Sequence, residues 1–274
     1  MIIFAIDIMD KLTVKKYVDQ LQSKGRYSFQ KSELHNQLYL SDSATNLALN
    51  RLMKNHRIVM IRQGFYIIIP LEYRNMGILP ASWFIHQLMN YLGRPYYVAL
   101  LSAAAIHGAA HQQPQEFQVI TDQSIRTIHV NELRIKFFKK GNIDIEKGVS
   151  QVKTENGYID VSEPELTAID LIRYVRGIGG ISRVSTVLSE LSEKIEPGKL
   201  VDAAQREKNL SYTQRLGFIL DFVGFESLTS KLHAWLKEKK PPKTPLEPGQ
   251  PYKNTDLNAK WQVLENTEIE TDLL

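Results

Sequence analysis

Residues 101–114 read LSAAAIHGAAHQQP and place His107 and His111 four apart in a run of small residues. On a helix that interval sets two imidazoles on one face, as in the His-Glu-x-x-His pair of zinc proteases. The Glu that acts as base there is missing, since residues 108–110 are Gly-Ala-Ala. Gly108 weakens a helix, and the QQP that follows His111 is expected to end it. The favoured reading is a close-packed turn with a hydrogen-bonded His107, and neither a metal nor a cofactor is expected.

Other catalytic patterns fail in the same way. The chain has no cysteine, which excludes thiol catalysis, disulfides and cysteine-ligated zinc. No G-x-S-x-G elbow is present. The stretch RGIGGISR at 176–183 has three glycines but lacks the Lys-Ser/Thr of a P-loop, and it reads as a loop between helices. Glu163 and Glu165 fall at an expected helix start, where capping and the macrodipole explain them. Asp170 sits mid-helix beside the apolar face and is expected to be buried against an arginine. DIEKG at 144–148 loosely resembles the Asp, Glu and Lys of a metal-dependent nuclease, a match short enough to arise by chance. No catalytic residue is assigned, and the chain is not expected to be an enzyme.

Charge is unevenly placed. Of the 274 residues, the first 80 carry 11 Lys and Arg against 6 Asp and Glu, while the rest carry 23 against 24. A basic head on a near-neutral body points to a polyanion partner for the head. The apolar run MIIFAIDIM is too short to span a bilayer and lacks the features of a secretory leader. It is expected to be a short strand or extended arm, or an upstream start ahead of Met9. No later run is long enough for a membrane helix, and a cytoplasmic protein is expected.

Within residues 1–75, periodicity predicts a helix over 10–23, a short second helix within FQKSELHNQLYL, and a third capped by Ser41 and running to about Asn55. Strands 58–61 and 65–69 follow, turned by Arg62-Gln63-Gly64 and ended by Pro70. Three helices and a hairpin make the order of a winged helix-turn-helix, whose third helix enters the major groove of double-stranded DNA. On that helix Ala44, Ala48 and Leu52 are expected to face inward, flanked by Thr45, Leu47 and Leu49. The DNA-binding candidates are Ser43, Asn46 and Asn50 for base edges, with Arg51, Lys54, Arg57 and Arg62 for phosphates.

Residues 76–240 alternate helical and extended patterns and predict a mixed α/β body. PASWFIHQLMNYLG and PYYVALLSAAAIHGAA read as helices. EFQVIT, RTIHV and LRIKFFKK read as strands. GYIDVSEPELTAIDLIRYV turns from strand to helix, with a capping box between Ser162 and Glu165. Further helices follow, one broken near Asn209. Residues 241–274 open with five of the 11 prolines, yet Trp261 follows, so this tail is expected to be extended and docked on the body, with an acidic end that frays.

These stretches carry a resemblance. GFYIIIP, LSAAAIHGAAHQQPQEFQVIT, VSEPELTAIDLI and the ending LEPGQPYKNTDLNAKWQVLENTE are similar in kind and order to the AbiEi family, antitoxins of bacterial type IV toxin–antitoxin systems. The resemblance spans nearly the whole chain, but residues 1–9 and KKGNIDIEKGVS carry none of it. It implies a winged helix that binds inverted repeats in its own promoter as a repressor, monomeric in solution with two copies on each repeat pair. It also implies a body that counters a co-encoded nucleotidyltransferase-like toxin without a stable complex. The residues leave two other readings open: a winged-helix repressor whose body senses a ligand or protein partner, and a metal-dependent nuclease.

Overall fold

The computed structural model describes residues 12–109 and 114–270. The expectations for residues 1–9, for His111 and for the last four residues lie outside them. The fold is mixed α/β, a helical N-terminal region followed by an α/β domain.

The N-terminal region runs α1 (Val14–Ser23), β1 (Ser28–Gln30), α2 (Lys31–Leu38), α3 (Asp42–Lys54), β2 (Ile58–Arg62), β3 (Phe65–Ile68) and α4 (Ile85–Leu92). Helix α1 starts four residues later than periodicity suggests, because the Thr13 side chain caps it by accepting from the Lys16 amide at 3.2 Å. Its face Val14, Tyr17, Val18 and Leu21 is buried. Three residues are too few for a detectable alternation, and β1 escapes a periodicity reading. It pairs antiparallel with β3, Phe29 opposite Tyr66, to give the sheet order β1-β3-β2. Leu34, Leu49 and Ile68 fill the centre of this core. Each such side chain contributes roughly 1.5–3 kcal/mol on burial. PASWFIHQLMNYLG divides: a 3-10 turn covers Ala81–Trp83, and α4 closes on Gly93 in the left-handed region.

The chain continues through β4 (Tyr96–Val98), α5 (Leu100–Ile106), β5 (Phe117–Thr121), β6 (Ile128–Val130), β7 (Leu133–Lys139), β8 (Val149–Thr154) and β9 (Gly157–Ser162). Then come α6 (Pro164–Arg173), α7 (Gly180–Leu191), α8 (Pro197–Glu207), α9 (Leu210–Phe222) and α10 (Glu226–Glu238). Three two-residue strands end it: β10 (Thr244–Pro245), β11 (Leu257–Asn258) and β12 (Val263–Leu264). Two compact units result. One holds the described residues up to Arg94 with Thr127–Ile135 and Lys153–Ile159; the other holds Pro95–Arg126, Lys136–Val152 and the chain from Asp160 onward.

The main sheet has the order β6-β7-β5-β4-β9-β8. Its central strand corrects the helical reading of PYYVALLSAAAIHGAA. Tyr96, Tyr97 and Val98 form β4, antiparallel to β5 and parallel to β9, where Val98 meets Val161. A short apolar run buried on both faces has no period that separates strand from helix. The helix starts only at Leu100, whose φ is +56°.

Helix α6 is the hub of the second unit and packs against α5, α7, α8 and α9. Pro164 occupies its first turn as expected, but Ser162 and Glu165 do not form a capping box. Ser162 Oγ lies 2.6 Å from Thr167 Oγ1, and Glu165 Oε1 accepts instead from the Glu196 amide at 2.7 Å. Ser162 bonds within the first turns of α6, and a tertiary partner claims Glu165.

The proline-rich tail lies on α9. Gln214 Nε2 donates to the carbonyls of Pro242 and Trp261, at 2.8 and 3.0 Å. Arg215 Nε donates to the Pro245 carbonyl at 2.8 Å. Asn266 exchanges backbone-like hydrogen bonds with Glu247, both at 3.0 Å. The acidic end is ordered further than its composition suggests: Ile269 packs on the core, and the Glu270 amide donates to Ser182 Oγ at 3.0 Å.

Candidate nucleic-acid interface

Helix α3 begins where Ser41 Oγ accepts from the Ala44 amide at 3.3 Å. The turn before it passes through Tyr39, left-handed at φ +50° and 91% exposed. Asp42, in the first turn, receives Lys31 Nζ at 2.8 Å and faces His35 Nε2 at 3.2 Å. These contacts tie α2 to α3. The Lys31 hydrogen bond, and then its charge, hold the Asp42 carboxyl below its usual range.

The inward stripe of α3 is Thr45, Leu49 and Leu52. This corrects the face centred on Ala44, Ala48 and Leu52: Ala44 is exposed and Ala48 only half-buried. Larger side chains fill the space against α1 better than alanines do, and the helix is turned accordingly. As a result Leu47 points outward, 54% exposed. Ser43, Leu47, Asn50 and Lys54 then recur at the i, i+4, i+7, i+11 interval of one helical stripe, flanked by Asn46 and Arg51. Ser43, Asn46, Asn50, Arg51 and Lys54 are all exposed. The sequence reading missed Leu47 because aliphatic residues were assigned inward by type.

The two arginines beyond α3 differ. Arg57 donates to the Ile69 carbonyl at 3.0 Å and to Asp19 Oδ1 at 2.8 Å, with Gln22 also in contact. Its guanidinium is committed to joining α1 to the hairpin, which corrects its assignment as a phosphate contact. Arg62, opposite Phe65 at a register irregularity in β2, is half-buried. The turn after it is braced rather than projecting. Tyr91 OH donates to the Gln63 carbonyl at 2.8 Å, and the Lys31 amide donates to the Gly64 carbonyl at 2.8 Å. Gly64 is required there: its φ is +81°, and a Cβ would lie 2.8 Å from the Tyr91 hydroxyl oxygen.

The second unit holds a buried ionic network. Asp170, fully buried, accepts from Tyr97 OH at 2.8 Å and from Lys140 Nζ at 2.8 Å. Its partner is therefore a lysine from the loop after β7, not the arginine expected. Lys140 also lies 3.4 Å from Glu207, which Arg173 contacts from its other side. Burial, reinforced by the Asp170 charge, pushes the Tyr97 phenol far above its usual range, so it stays a donor. His107 Nε2 lies 2.7 Å from the Ser162 carbonyl oxygen, a structural tie between α5 and the end of β9. Among the described residues no three His, Asp or Glu side chains converge as a metal site. No described helix is long and apolar enough to cross a membrane.

Residues 97–222, from β4 through α9, match the family model of the AbiEi antitoxin C-terminal domain. No curated protein matches the chain. Among solved structures, the crystal structure of the RV2827C protein from Mycobacterium tuberculosis is similar, with a TM-score of 0.68 at 15% identity over 91% of this chain and 90% of that one. At that identity the likeness is one of fold.

Proposed function

We propose, from the match of residues 97–222 to the AbiEi antitoxin C-terminal domain, that the chain is a type IV antitoxin that also represses its own operon. In this reading residues up to about 75 form a winged helix-turn-helix that binds inverted repeats in the promoter. The body, residues 76–240 with the tail 241–274 docked on it, counters a nucleotidyltransferase-like toxin without a stable complex and without catalysis.

The observation that carries the DNA reading is the outward stripe of α3. Its exposed amides and hydroxyl suit base edges: Asn50 and Asn46 pair well with adenine, and Ser43 with either purine or pyrimidine. Leu47 adds an apolar group of the kind that meets a thymine methyl. Arg51 and Lys54, in the last turn, and Arg62 supply phosphate contacts. The Lys31–Asp42 contact joins α2 to α3 at the start of the stripe.

The test is co-expression of the neighbouring toxin gene with this protein. Residues 127–135 and 153–159 belong to the first unit, so full-length variants are preferable to a truncated body. Wild type is expected to rescue growth and repress a promoter reporter. The Asn50→Ala/Lys54→Ala variant is expected to rescue growth equally and lose repression. If wild type does not rescue, the antitoxin assignment fails; if the variant represses fully, the assignment of α3 fails.

A further inference from the structure

The segment KKGNIDIEKGVS, residues 139–150, forms one wall of a cavity of about 880 Å³ in the second unit. The opposite wall is α8 and the turn into α9. The floor is the Tyr97–Asp170–Lys140–Glu207–Arg173 network. Two tyrosines, Tyr97 and Tyr212, and aliphatic groups such as Leu166 and Leu210 face the space beside these charges.

The charge balance decides what such a cavity takes. Five cationic side chains line it. Lys140 and Arg173 are neutralised by Asp170 and Glu207, and Lys147 by Asp144 at 3.4 Å. Arg206 and Lys208 make no ion pair among the described residues and leave a surplus of two positive charges at the rim. The macrodipole favours basic residues at the end of α8, but it gives no reason for a buried ionic floor. Stability gives none either, since a buried ion pair is often replaced by apolar groups at no loss. A pre-formed, neutral but donor-rich floor, aromatic walls and a doubly cationic rim are the parts of an anion-binding pocket.

The geometry points to a binding site for an organic phosphate, a phosphate ester whose dianion meets Arg206 and Lys208 and whose sugar or aromatic body lies against Tyr212 and Leu166. The volume exceeds what a bare phosphate fills, which is why an organic body is part of the inference. This site is separate from the α3 stripe and does not depend on the DNA reading.

Calorimetry on the full chain at low salt tests it, with inorganic phosphate, ribose 5-phosphate and AMP as probes. Ribose 5-phosphate, AMP or both should bind one per chain, with Kd below about 1 mM and about tenfold or more tighter than inorganic phosphate. The Arg206→Ala/Lys208→Ala variant, altered only at exposed positions, should lose about tenfold or more in that affinity, while Asn50→Ala/Lys54→Ala should leave it unchanged. Absence of binding by both organic phosphates, binding no tighter than inorganic phosphate, or binding unchanged in the rim variant would each overturn the site. So would a rim variant that weakens only duplex DNA binding.

Discussion

Trp261 lies across Gly217 so closely that a Cβ on Gly217 would sit 2.2 Å from its Cζ3. The ring is 1% exposed, and its Nε1 donates to Asp221 Oδ2 at 2.6 Å. A glycine in the middle of α9 costs helix stability relative to alanine, and the docked tail is what it makes room for.

Gly217→Ala should therefore destabilise the protein despite alanine's better helix propensity. The expected loss is about 1–3 kcal/mol, the range for overpacking. Trp261→Ala should cost about 3–5 kcal/mol through the cavity it leaves. Both should speed limited proteolysis within residues 241–260. Chemical denaturation and a protease time course check this; a Gly217→Ala protein more stable than wild type would contradict the packing.

Asp170→Leu alone should cost about 3 kcal/mol, because Lys140 and Tyr97 OH lose their buried acceptor. Adding Lys140→Met should recover most of that loss, leaving Glu207 paired with Arg173. A double-mutant cycle in denaturant measures it. Equal and additive losses would show that Asp170 and Lys140 are not coupled.

Burial pushes the Tyr174 phenol up to about 12, and burial with the Asp170 charge pushes Tyr97 well above its ordinary value. In the unfolded chain both ionise near 10. The folded state thus holds more protons above pH 10, so stability contributed by these tyrosines is intact below pH 10 and declines between pH 10 and pH 12. Unfolding free energy measured across that window should fall, and the tyrosinate absorbance due to Tyr97 and Tyr174, taken as the difference from Tyr97→Phe and Tyr174→Phe variants, should rise only as the protein unfolds. Ionisation of Tyr97 or Tyr174 in the native state with a midpoint near pH 10 would refute the assignment.

Helices with a clear stripe and a cap were legible from sequence: Ser41 caps α3 as its side chain suggests, and the break near Asn209 falls where α9 starts. The parts that were not legible depend on neighbours far along the chain. β4 is a strand because β5 and β9 flank it, and nothing within Tyr96-Tyr97-Val98 separates that from a helical turn. Asp170 found a lysine thirty residues away, just past β7 at the end of LRIKFFKK, a pairing that no local pattern announces. Arg57 looked like a surface cation beside a basic helix, but Asp19 and the Ile69 carbonyl claim it. On α3, residue types identified an amphipathic helix but not its rotation, which packing against α1 sets by choosing Thr45 and Leu49 over Ala44 and Ala48.

The central claim is that the outward stripe of α3 reads the promoter. Fluorescence anisotropy with the chain's own promoter fragment and a scrambled duplex, repeated over a salt series, tests it most directly. Asn50→Ala should weaken binding to the promoter by about 1–3 kcal/mol and leave scrambled DNA unaffected. Lys54→Ala should weaken both duplexes alike and lower the salt slope by about one. Promoter binding that is unchanged in both variants would contradict the account.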